Sequence, residues 1–74
     1  MTVYYTEIQA VLFNKSVFTK TMCCEWLNRL HMFAIKPVLE LSTFYKYALR
    51  DPVKYQKFEL QDCGNGVTLI VGHF

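Results

Sequence analysis

Only one stretch of this chain repeats its apolar residues at helical spacing, and period-two stretches flank it on both sides. Cys23, Trp26, Leu27 and Leu30 recur at the 3, 4 and 7 spacings of a single helical face, with Lys20, Glu25, Asn28 and Arg29 on the solvent side. Thr19 reads as the N-cap. Phe18 before it and Cys23 at the fourth helical position form a hydrophobic staple. His31, able to carry a positive charge, suits the helix C-terminus. One helix can cover only one face of a sheet, so this pattern confines the chain to a thin α+β body.

The remaining segments supply the sheet. Residues 4–13 are rich in β-branched and aromatic types and read as a strand, with Ile8, Ala10 and Leu12 on one face and Val11 and Phe13 on the other. From Ile35 to Leu41 the period is two, with Pro37 at a strand start or sheet edge. Ser42-Thr43 turns the chain into a strand from Phe44 to Arg50. Asp51-Pro52 is an N-cap followed by proline at the first helical position, which predicts a short helical turn over 52–57. Phe58 to Asp62 alternates again, Asn65-Gly66 marks a tight hairpin, and Val67 to Val71 closes the sheet. The expectation is an α+β two-layer sandwich: a mostly antiparallel sheet of 4–5 strands, one long helix on one face and one short helical turn. Its expected core is Ile8, Leu12, Trp26, Leu27, Leu30, Ile35, Leu39, Tyr45, Tyr47, Leu49, Leu60 and Leu69.

Length and composition narrow the class. Seventy-four residues make a single domain, 1–74, when domains usually run to roughly 100–200 residues. A chain that is 53% hydrophobic with net charge +2 is neither a disordered tail nor a polybasic one. No apolar run approaches the roughly 18 residues of a membrane span. The first residues lack a basic segment followed by an apolar block, so no secretory signal is expected. Three cysteines, two of them adjacent (Cys23, Cys24), make a poor disulfide framework and point to a reducing compartment. The sequon Asn14-Lys15-Ser16 is then not expected to carry sugar. Six Phe, five Tyr and one Trp give a small domain more ring surface than a thin core hides, which favours self-association.

No constellation for catalysis is present. Nucleophilic chemistry needs a base within reach and a metal needs three or four convergent ligands, whereas His31 and His73 stand alone and Cys23 and Cys24 diverge by about 100° on a helix. Gly64-Asn65-Gly66 lies between two strands and is a turn rather than a phosphate cradle. The expectation is no enzyme, no cofactor and no metal. Two binding readings remain. The sheet face opposite the helix, assigned Val11, Phe13, Val38, Phe44 and Ile70, is too apolar to stay wet and is the candidate interface for a homo-oligomer or another protein. The alternative is a nucleic-acid platform of Phe44, Lys46 and Arg50, extended by Lys54 and Lys57. Glu40, Asp51, Glu59 and Asp62 interrupt that basic field.

Four motifs stand in order over residues 8–73: Val11-Leu12-Phe13, Trp26-Leu27, Tyr47-Ala48-Leu49-Arg50-Asp51-Pro52, and Gly64-Asn65-Gly66-Val67 running on to Val71-Gly72. Their order and spacing resemble a small uncharacterised α+β domain family of large eukaryotic DNA viruses, with looser relatives in tailed phages. The resemblance implies a viral protein, either a virion component or a factor in the cytoplasm or nucleus of the infected cell. It brings no catalytic residue. Members of that family tend to be basic where this chain has Phe33, Ala34, Ala48, Glu59, Gln61 and Asp62, which argues against polyanion binding as its main role.

Overall fold

A computed structural model describes residues 5–74. Along the chain it places β1 (Thr6–Asn14), α1 (Lys20–Arg29), β2 (Leu39–Glu40), β3 (Phe44–Ala48), a 3-10 turn (Pro52–Lys54), β4 (Lys57–Gly64) and β5 (Val67–His73). The five strands form one antiparallel sheet in the order β2-β3-β1-β5-β4, with α1 against one face. This is the expected α+β fold. Tyr4, assigned to the first strand from sequence, lies outside the described residues.

Local chemistry explains most of the boundaries. The Thr19 side chain accepts the Met22 N–H at 3.2 Å and starts α1. The helix ends in a Schellman motif, in which the Met32 N–H bonds to the Leu27 carbonyl (2.9 Å) and the His31 N–H to the Asn28 carbonyl (3.1 Å). His31 holds the left-handed conformation (φ 56°) that glycine usually supplies there. Asp51 caps the 3-10 turn by accepting the Val53 N–H, with Pro52 at its first position. Asn65 (φ 54°) and Gly66 (φ 84°) both take the left-handed region, as a two-residue hairpin of the primed kind requires. The strand expected over 35–41 shrinks to Leu39–Glu40. The Ile35 N–H still bonds to the Ala48 carbonyl at 2.8 Å, but Pro37 has no N–H with which to continue the ladder.

Directly paired residues share a face, so the strand registers sort the side chains into two sets. Under α1 run the rows Tyr45–Phe13–Val67 and Tyr47–Val11–Leu69, followed by Ile8–Val71. Phe13, Val11 and Cys23 are completely buried, and Leu27, Tyr47 and Val67 complete the core. Phe13 is its centre. The rings of Phe18, Trp26 and Tyr47 meet it edge-on, with centroids 5.0, 5.4 and 5.6 Å away.

Two residues assigned to the candidate interface, Val11 and Phe13, are thus the heart of the core. A third, Val38, is half-buried against the same cluster. The cause is a β-bulge. Ile8 pairs with Val71 but Ala10 pairs with Ile70, leaving Gln9 as an extra residue in β1. Strict alternation would group Ile8 with Ala10 and Leu12. The bulge groups Ile8 with Val11 and Phe13 instead and turns Ala10 and Leu12 to the opposite face. Gln9 is itself buried and tied down. Its Nε2 donates to the Arg50 carbonyl (2.8 Å), and its own carbonyl accepts the Leu49 and Arg50 N–H groups (2.8 and 3.2 Å). Of the expected core, Leu27 and Tyr47 are buried, and Ile8, Trp26, Tyr45, Leu49 and Leu69 pack around them. Leu30, Ile35, Leu39 and Leu60 are exposed.

Candidate functional site

The face turned away from α1 has its own order. One row crosses all five strands as Leu39–Lys46–Leu12–Thr68–Asp62. The next reads Ala48–Ala10–Ile70–Leu60, and a third pairs Gly72 with Phe58. Phe44, paired with Asn14, stands beyond the first row.

One end of this face is roofed. A Cβ on Gly72 would overlap the Tyr55 ring, so the segment after the 3-10 turn lies directly on the backbone there. Tyr55 is buried and meets the rings of Phe58 and Phe74 at 5.7 and 5.2 Å. Gly72 sits where this second layer comes down, because a side chain there would hold it off. Three residues of 3-10 helix cannot span five strands, so the other end is open. Leu60 is 68% exposed and Leu39 53%, while Leu12, Phe44 and Ile70 are half-buried.

Phe44 and Ile70 of the expected interface therefore do face outward, in the company of Leu12, Leu39 and Leu60 rather than Val11, Phe13 and Val38. Sequence reasoning missed those three leucines because it put them in the core. The available signal was Phe58 and Leu60 alternating with Glu59 and Gln61: β4 is an edge strand beyond the reach of the helix. Its polar set, Lys57, Glu59 and Gln61, lies on the helix side of the sheet, in water, and its apolar set points the other way.

Two grooves cut the open face. One, of about 140 Å³, has Ala48 and Gln9 among its lining, with Leu39, Lys46, Pro37 and Pro52 around it. The other, of about 330 Å³, lies at the hairpin end between Phe44, Asp62 and Thr68.

The basic residues are not gathered into a platform. Phe44 and Lys46 share the open face, but Arg50 and Lys54 both grip Glu7 (2.8 and 3.2 Å). Lys57 lies on the other side of the sheet, opposite His73. Near α1, Lys20 bonds to Glu40 at 2.7 Å, which raises the lysine pKa and lowers that of the carboxylate.

Among the described residues no three of His, Cys, Asp and Glu are placed to hold a metal, and no helix is long and apolar enough to cross a membrane. Burial pushes the Cys23 thiol up to about 11, only partly opposed by the neighbouring Tyr47 hydroxyl, and burial also raises the Tyr47 phenol. Such a thiol is protonated at neutral pH and is no nucleophile. No family model, curated protein or solved structure matches this chain.

Proposed function

We propose that this chain is a non-enzymatic association module that works by burying the open half of its sheet against a second copy of itself. The supporting observation is the set Leu12, Ile70 and Leu60, with Leu39 beyond Lys46 in the first row, on a face that neither α1 nor the 3-10 turn covers. Apolar side chains grouped in this way mark association surfaces. The edges of the sheet are less inviting. β2 is two residues long, and β4 carries Lys57, Glu59 and Asp62, charges of the kind that blunt an edge against strand addition. The resemblance in motif order supports a viral setting for the module, as a virion component or as a factor of the infected cell.

Sedimentation of the purified chain tests the reading. Dimers or larger species are expected at micromolar concentration, and Leu60→Asp, on the open face, is expected to give folded monomers whose unfolding temperature, unlike that of the wild type, does not rise with concentration. A wild-type chain that stays monomeric to hundreds of micromolar would sink the proposal. The nucleic-acid reading has Phe44 and Lys46 in its favour. It would gain from salt-dependent retention on DNA that Lys46→Glu abolishes.

A further inference from the structure

The open face carries a pattern that its apolar character does not require. Lys46 and Asp62 stand in one row, on β3 and β4, with only Leu12 and Thr68 between them. Among the described residues neither forms an ion pair. Asp62 accepts the Gly64 N–H through Oδ1 at 2.8 Å and keeps its other oxygen free. In the adjacent row the same two strands carry the most prominent knob and a hollow: Leu60 on β4, and on β3 Ala48, which lines the groove of about 140 Å³.

We infer that the second copy seats face to face about a two-fold axis running along the strands, midway between β1 and β5. This rests on the reading that the open face binds another copy, and it specifies the register. The strand order makes β3 and β4 equidistant from that line. A half-turn about it lays β3 of one copy over β4 of the other and keeps each row at its own level. Lys46 then faces the partner copy's aspartate at 62, and Leu60 enters the partner's groove beside Ala48, each contact occurring twice. At the open end packed sheets lie roughly 10 Å apart with their strands aligned to within about 30°, a gap that an extended lysine and an aspartate bridge together, and the two sheets splay apart toward the end where Tyr55 covers Gly72 in each copy. One symmetry operation thus matches cation to anion and large to small, the self-complementarity that an isologous interface needs. An unrelated partner would have no reason to find both matches mirrored across the same axis.

Charge reversal separates this arrangement from association in general. Lys46→Asp and Asp62→Lys should each weaken the dimer by at least about tenfold, since each sets two pairs of like charges face to face. Mixing the two variants should restore association as a heterodimer, because one copy then offers only aspartates and the other only lysines at these positions. The double variant K46D/D62K should dimerise like the wild type. Recovery on mixing also shows that the single variants are folded. Wild-type dimers that ignore either reversal, or variants that fail to recombine, would overturn this register and leave self-association standing. A monomeric wild type would remove both.

Discussion

Tyr55 lies so closely on Gly72 that the sheet backbone, with no side chain intervening, is the floor of the second layer. The contact closes one end of the open face and leaves Leu12, Leu39 and Leu60 at the other end uncovered.

Gly72→Ala is therefore expected to destabilise the fold by about 1–3 kcal/mol, the usual cost of overpacking a filled site. In a Tyr55→Ala background the same substitution should cost much less, because the ring it collides with is gone. Urea unfolding of the four members of this cycle measures the coupling.

Phe13→Ala should cost about 3–5 kcal/mol, since Phe13 is completely buried with three rings against it. In a domain of this size that approaches the whole net stability, and loss of the cooperative thermal transition is the expected result. Trp26 is half-buried, so Trp26→Ala should be the milder of the two.

His31 spends conformational energy to close the helix. A non-glycine residue held in the left-handed region costs on the order of 1 kcal/mol or more, and His31→Gly should return about 0.5–1 kcal/mol of it. A raised unfolding midpoint with an unchanged denaturant slope would show this. An unchanged or lowered midpoint would mean that the imidazole contributes packing that outweighs the backbone cost.

The thiols should divide into two classes. Cys24 and Cys63 are exposed and Cys23 is buried, so a thiol reagent should label two sites in the native chain and the third only on unfolding. The pH dependence follows from the same burial. The Cys23 pKa is about 11 in the folded chain against an ordinary 9.0, so its contribution to stability is complete below pH 9 and is lost as the pH climbs towards 11. Tyr47 adds a loss of the same sign. Unfolding midpoints between pH 8 and 11 should fall less steeply in Cys23→Ala than in the wild type.

The helix, its Thr19 cap, the Asn65-Gly66 hairpin and the proline-led turn were legible because each rests on local chemistry within a few residues. The identity of the faces was not. Inserting Gln9 into the pleat changes which side every later residue of β1 occupies, and what holds the bulge is a set of hydrogen bonds to Leu49 and Arg50, some forty positions away. No alternation count within residues 4–13 contains that information. Both faces of this sheet are apolar, so neither assignment of the faces leaves a wet side. Of the five residues assigned to the face opposite the helix, Phe44 and Ile70 lie there, and Val11, Phe13 and Val38 pack in the core on the helix side.

The strand order has a consequence for how the chain reaches its native state. β1 and β5, the earliest and latest strands in sequence, lie side by side at the centre of the sheet. Until residues 67–73 have left the ribosome, Val11 and Phe13 have no neighbour on that flank, and α1 has only half a platform on which to settle. Closing so long a loop is slow. The folding chain thus passes through a stage in which its stickiest side chains are bare on that flank.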